Sequence, residues 1–408
     1  MCIGSAYNGR ALEHKPCLYG LFPVQHTLFT PYGGKDRYHF MDQRILRQAQ
    51  VLVGYCLGVK PGNLVAIYHT EGGIPLMRAV YGEVYRAGGI PTSRFLPEID
   101  DVMYDLASDQ ALQTPSPFDL VANDIFHHFV QIDAAANANA NAGVDPLRRQ
   151  ARSRAYAETN KRFGERWAAR ELTWVATEHP VNSAAQAAGM SLRAYEDFLY
   201  GVMGVDRKDP VGVWRRIRRQ NAKLIRAMRG GRQVHLVGPG TDLTMVIEGR
   251  TFENDDGKLN FPGGEVWTSP VEDSVNGMFA SSPEVPIDVN GRPIKAVVLR
   301  IENGRIVDAS AQVGEELLIS MLDTDEGARG IGELGIGTNM AVTRATGNTM
   351  LDEKIGGTVH VAFGHGFEDC GGQEGSSVVH QDMVCDLRNG GALTVDGKPI
   401  LVNGEFVF

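Results

Sequence analysis

The sequence predicts an α/β fold in its N-terminal part, with a mostly parallel sheet, followed by a β-rich α+β C-terminal part with a mixed or antiparallel sheet. Three observations carry this. Strand and helix patterns alternate up to about residue 230, and such a run packs most simply as a parallel sheet covered on both faces. After Gly230-Gly231 short β-type runs are separated by Gly and Asp turns. The chain has 408 residues, 43% of them hydrophobic and 22% charged, enough for two or three sizeable cores at roughly 100 to 200 residues per domain.

Residues 1–40 are rich in Gly, Pro and Tyr without a clear period and read as an N-terminal arm. From Met41, Ile45, Leu46, Ala49, Leu52, Val53 and Cys56 recur at helical spacing. Lys60-Pro61-Gly62 then turns the chain into a strand over 64–68. A helix over 75–86 ends at Gly88-Gly89, and 91–96 is the next strand. A helix over 100–107, a strand over 129–132, one long helix over 146–167 and a strand over 172–176 continue the rhythm. Ala134 to Asn141 alternates Ala and Asn and reads as a loop. A helical stretch over 191–228 closes an α/β domain placed at 41–230. The second domain, 231–408, holds strands over 234–237, 243–247, 296–301, 359–363 and 378–384, with a helix over 315–323.

Charge and cysteine content narrow the function. Lys and Arg total 40 against 49 acidic residues, a formal charge of −9. The densest basic run, Trp214-Arg215-Arg216-Ile217-Arg218-Arg219, reads as a solvated helix face, so nucleic acid is not an expected partner. The cysteines, Cys2, Cys17, Cys56, Cys370 and Cys385, are odd in number and form no Cys-x-x-Cys pair, which argues against a disulfide framework and a thiolate zinc site. No apolar run reaches the roughly 18 residues of a membrane span. Asn8, Arg10 and His14 leave no signal-peptide core. A cytoplasmic chain with no membrane partner is expected.

The chemistry concentrates in the second domain. In Val378-Val379-His380-Gln381-Asp382-Met383-Val384, His380 and Asp382 are two apart, so strand alternation points both to one face. Such a pair grips a cation or serves as a buried structural pair. His360 lies mid-strand between Gly356-Gly357 and Gly364, with small Thr358 and Ala362 on its own face. Glu333 stands among Gly330, Gly332, Gly335 and Gly337, where an unpaired charge costs several kcal/mol and calls for a cation or a proton. Glu265 enters a strand from the turn Pro262-Gly263-Gly264. Glu353 is a further ligand, a surface charge or a partner of Lys354. Several carboxylates and two histidines without cysteine suit a catalytic rather than a structural site, and two cations sharing a carboxylate would use them all.

These residues sit in longer blocks. Gly240-Thr241-Asp242-Leu243-Thr244, Asn260-Phe261-Pro262-Gly263-Gly264-Glu265-Val266, Val271-Glu272-Asp273-Ser274-Val275-Asn276-Gly277 and Gly332-Glu333-Leu334-Gly335 come first. Leu351-Asp352-Glu353-Lys354-Ile355-Gly356-Gly357-Thr358-Val359-His360 and Val379-His380-Gln381-Asp382-Met383 follow. In order and spacing they resemble the M29 peptidase family, metallo-aminopeptidases of the aminopeptidase T and aminopeptidase S type. The resemblance covers about 230–408 and reaches, less sharply, Thr177-Glu178-His179-Pro180, Ala188-Gly189-Met190-Ser191 and Asp209-Pro210-Val211. It implies that Glu265, Glu333, His360, His380 and Asp382 bind two divalent metal ions (zinc, cobalt or manganese), with Glu353 a further ligand and Glu333 also the general base. It implies a homodimer with an enclosed site and short peptide or small amide substrates. One position departs: seven residues after the strand histidine the family carries a catalytic tyrosine, and this sequence has Phe367. His365 is a replacement donor or a solvent-facing loop residue.

Three functions compete. The first is a dinuclear metal hydrolase releasing N-terminal residues from short peptides. The second is a ring-cleaving dioxygenase resembling 2,5-dihydroxypyridine 5,6-dioxygenase, whose single ferrous ion would need only His360, His380 and Asp382. The third is a binding protein with a dead site, which Phe367 keeps open.

Overall fold

In this computed structural model residues 41–408 are described, apart from 99, 141, 142, 290, 374 and 375, so the expected arm over 1–40 lies outside the described residues. Four β-strands, β1 (Leu64–His69), β2 (Ile90–Phe95), β3 (His128–Asp133) and β4 (Thr173–Glu178), alternate with helices as the sequence predicts. All pair in parallel. After the helix Pro210–Met228 come β5 (Gln233–Gly238), β6 (Thr241–Val246), β7 (Glu253–Asp255), β8 (Asn260–Phe261), β9 (Glu265–Thr268), β10 (Asn276–Ala280) and β11 (Ile287–Val289). The chain continues through β12 (Arg292–Glu302), β13 (Arg305–Val313), the helix Glu315–Leu322, β14 (Ile331–Gly337), β15 (Thr358–Gly364) and β16 (His380–Asp386), and closes with β17 (Ala392–Val395), β18 (Lys398–Val402) and β19 (Glu405–Phe406).

The strands form three sheets. The parallel sheet has the order β2-β1-β3-β4-β8, so its edge strand β8 comes from the C-terminal part. A nine-stranded antiparallel sheet runs from β11 to β19, and a five-stranded antiparallel sheet has the order β16-β15-β14-β9-β7. One large core joins the two antiparallel sheets, and the helix Pro210–Met228 lends it Leu224, Ile225 and Met228. The same helix ties the parallel sheet in: Trp214 is buried, packs on Phe261 of β8 and donates its indole N–H to Met203 O. Residues Asp42–Phe408 form one compact unit.

Four expectations need correction. The first helix is α-helical only over Gln43–Gln50 and continues as a π-helix over Val51–Cys56. The helix expected over 146–167 is two, Pro146–Ala155 and Ala157–Ala168, broken at Tyr156 with no Pro or Gly to mark it; the Tyr156 hydroxyl is tied to Ser116 N and Asp119. The stretch over 191–228 is likewise two helices, because Gly204 takes a left-handed cap at φ 69° and Pro210 starts the next. The strand expected from 378 begins only at His380, since Val378 N donates to the Asp325 carboxylate instead of a ladder.

Candidate metal centre

Directly opposed residues in an antiparallel ladder share a face of the sheet. Gly337 opposes Glu265, Gly335 opposes His360 and Trp267, Ala362 opposes Glu333 and Asp382, and Gly364 opposes His380. Glu265, Glu333, His360, His380 and Asp382 therefore project from one face, while Val266, Leu334, Val359, Val361, Phe363 and Met383 enter the core from the other. Every residue of β14 and β15 is buried, so this face is covered as well.

A bulge decides where Glu333 points. Ile331 opposes Phe363 while Glu333 opposes Ala362, one residue out of step. An unbroken ladder would put Ile331 and Glu333 on the same face; the extra residue, Gly332, lets Ile331 enter the core and turns Glu333 the other way. Gly335 serves a different need. A Cβ there would lie 1.8 Å from His360 Nε2, so only glycine leaves the imidazole its place.

Two groups of ligand atoms result, one from Glu265, Glu333 and His360 and one from Glu333, His380 and Asp382, each with its atoms within 4.8 Å of one another. Glu333 joins them: Oε1 lies 3.4 Å from His360 Nε2, and Oε2 lies 3.1 Å from His380 Nε2. Glu265 Oε2 is 3.3 Å from His360 Nε2, and Asp382 Oδ1 is 3.6 Å from His380 Nε2. Glu265 Oε2, His360 Nε2 and Asp382 Oδ1 are nonetheless buried without a hydrogen-bond partner among the described residues. Converging buried lone pairs are unfavourable unless a cation or protons hold them, and imidazole with carboxylate is a donor set that suits zinc-like ions. The residues fit the group. His380 Nδ1 donates to His365 O at 2.9 Å, which fixes the ring with Nε2 toward the carboxylates.

The family model described as thermophilic metalloprotease (M29) matches residues 41–406. The chain belongs to the M29 metalloprotease family. It is 30% identical over 253 residues to aminopeptidase T of Thermus aquaticus, a stretch covering 56% of this chain and 60% of that protein. The structure of wild-type AmpT from Thermus thermophilus superposes with a TM-score of 0.75 at 23% identity, covering 90% of this chain and all of the other. A 2,5-dihydroxypyridine dioxygenase from Pseudomonas putida KT2440 superposes less closely, with a TM-score of 0.55 at 15% identity over 90% of this chain and 98% of that one. These two likenesses concern the fold alone.

The M29 chain carries a buried cation that motif reading passed over as a mere neighbour of Glu353. Lys354 is wholly buried; its Nζ donates to Glu265 Oε1 at 2.9 Å and to Glu353 Oε1, and lies 3.8 Å from Asp255 Oδ2. Glu353 thus belongs to neither group of ligand atoms. No local signal marks this lysine as buried, because its partner Glu265 lies 89 residues away in the chain. Trp267 was also missed; it shares the site's face and packs 5.9 Å from Phe367, whose ring meets that of His380 edge-on at 5.2 Å. The His365 ring is half-buried beside Phe367, and its contribution to His380 is the backbone carbonyl.

Charge is distributed unevenly over the site. Burial pushes the Glu265 carboxyl up, but Lys354 and His360 outweigh it and hold it at about 2. Burial disfavours imidazolium at His380 too, yet Asp382 and Glu333 lift it to about 11, and Glu265 and Glu333 raise His360 in the same way. Asp382 is held low against burial by His380. Asp255 is pushed by burial to about 7 despite Lys354, and Glu353 is raised too. Protons and cations compete here for the same imidazole nitrogens.

Proposed function

We propose that this metalloprotease is an aminopeptidase that releases N-terminal residues from short peptides with two divalent cations. Glu265, Glu333 and His360 would hold one and Glu333, His380 and Asp382 the other. The observation that carries the reading is Glu333, with one oxygen toward each group. Lys354 pairs with Asp255, Glu265 and Glu353 and with neither Glu333 nor Asp382 among the contacts described, which leaves those two carboxylates to the cations. A single ferrous ion would leave Glu265 and Glu333 without work.

When bound, such cations polarise the scissile carbonyl and lower the pKa of the attacking water. Glu333, between both groups, is the carboxylate we assign to accept the water's proton. Lys354 holds Glu265 through one oxygen and leaves the other facing His360. Phe367 has no hydrogen-bond donor to offer a tetrahedral oxyanion. Cys56, Cys370 and Cys385 are free and buried, which suits a reducing cytoplasm, and no described helix is long and apolar enough to cross a membrane. A homodimer is part of the proposal.

Elemental analysis with a panel of dipeptides and aminoacyl anilides tests it. Two zinc, cobalt or manganese ions per chain with amide cleavage is the expected result. One iron with oxygen uptake overturns it in favour of ring cleavage, and two cations without cleavage point to a dead site.

A further inference from the structure

Trp267 stands on the ligand face of β9, two residues after Glu265, and opposes Gly335 on one side and Glu253 on the other. With no side chain at Gly335, the His360 imidazole leans across that strand toward β9, far enough for Nε2 to come 3.3 Å from Glu265 Oε2. The indole is thereby a neighbour of the His360 group. It also packs 5.9 Å from Phe367, whose ring meets His380 of the other group at 5.2 Å. Phe367 is held there by its own N–H, which donates to Ser269 Oγ at 2.8 Å. One indole thus borders both groups of ligand atoms.

Its N–H is out of the ordinary. A buried indole N–H usually finds an acceptor, as Trp214 does by donating to Met203 O at 2.9 Å. Trp267 Nε1 is buried with no hydrogen-bond partner among the described residues, the facing Glu253 included. An orphaned donor destabilises the fold unless an acceptor arrives from outside the chain. Indole is a donor only, so beside two cation sites it stays free where an imidazole or a carboxylate would be drawn into coordination. The acceptor it suits is an oxygen of the substrate. In amide hydrolysis the carbonyl oxygen is the one that gains charge: water adds to the carbonyl carbon, the π pair moves onto oxygen, and the water's proton goes to Glu333. An N–H already in place for that oxygen favours the transition state over the ground state.

We propose that Trp267 is a catalytic residue whose indole N–H donates a hydrogen bond to the oxyanion of the tetrahedral intermediate. The inference rests on the aminopeptidase reading and adds a donor from the chain itself to the chemistry of the cations. The indole keeps its proton throughout. When the intermediate collapses, the C–N bond breaks, the carbonyl re-forms, and the proton on Glu333 passes to the leaving amine.

The test uses the full chain loaded with zinc, leucine anilide as substrate, and two probes: the phosphonic acid analogue of leucine, a tetrahedral anion, and leucinol, which has no such anion. Trp267→Phe removes the N–H and keeps a ring. It should retain both cations, lower kcat by about 10²-fold with KM within about twofold, and weaken phosphonate binding far more than leucinol binding. In wild type labelled with ¹⁵N at the indoles, the resonance missing from Trp267→Phe should move downfield with the phosphonate and stay in place with leucinol. This readout needs no folded variant beyond the assignment, which a Trp267→Tyr protein also supplies. A kcat within twofold of wild type in Trp267→Phe overturns the proposal, as does a bound phosphonate that leaves the resonance unmoved. Loss of a cation in Trp267→Phe makes the ring a support for the ligands and overturns it too. Wild type that cleaves no amide but shows the phosphonate shift sinks the aminopeptidase reading and leaves the anion donor standing.

Discussion

Glu178 and Glu265 are two glutamates buried to a similar degree at strand ends, one closing β4 of the parallel sheet and one opening β9 of the metal sheet. Their partners differ. Glu178 accepts from the Tyr195 hydroxyl and, at 2.8 Å, from Asn348 Nδ2, both neutral donors, and burial pushes its carboxyl up to about 7. Glu265 is met by the Lys354 ammonium and stays ionised. Burial alone therefore does not settle the state of a carboxylate; the formal charge of its partner does. Glu178 spends both oxygens as a strut to the turn that Asn348 caps, whereas Glu265 keeps one oxygen free for a cation.

The sharpest way to break the metal side of this contrast is Gly335→Ala. The added methyl displaces the His360 imidazole, so one cation per chain and a loss of at least about 10³-fold in kcat/KM are expected by elemental analysis and peptide kinetics. Two retained cations with near-normal turnover would show that His360 is not a ligand. Lys354→Met comes next. It strips Glu265, Glu353 and Asp255 of their shared ammonium, and metal-free protein should lose about 3 to 5 kcal/mol in urea unfolding, part of it recovered when cations are added. A stability unchanged within error would refute the role given to that lysine.

The strut side is tested by pH. Glu178 titrates at about 7 when folded against 4.5 for the free group, so its favourable contribution is full below 4.5 and is lost as pH rises through 7. Glu178→Gln should flatten the stability profile across that window by roughly 3 kcal/mol, and an identical slope in both proteins would contradict the assignment. The smallest effect is expected from Phe367→Tyr, which returns a hydroxyl beside His380. A gain in kcat of up to about 10-fold at constant KM is the anticipated outcome, and a fall would mean that the apolar ring itself matters.

How far the sequence could be read follows from what each signal depends on. Strands β1 to β4 were legible because apolar runs and Gly turns are local. The break at Tyr156 was not, because its hydroxyl answers to Ser116 and Asp119, about 40 residues away. His380 and Asp382 were legible as a pair from alternation alone. Their meeting with Glu333 was not, since it depends on the register of β14 against β15 and β16. Glu353 shows the limit most clearly: its neighbour Lys354 was visible, but not that this lysine folds inward onto Glu265.

By itself the sequence determined the alternation of elements, the supply of carboxylates and imidazoles, and membership of the M29 family. Tertiary structure alone decided which of those groups face one another. A one-residue bulge at Gly332 reverses the side on which Glu333 emerges, and the spacing of residues along a strand carries no record of the partner that creates it.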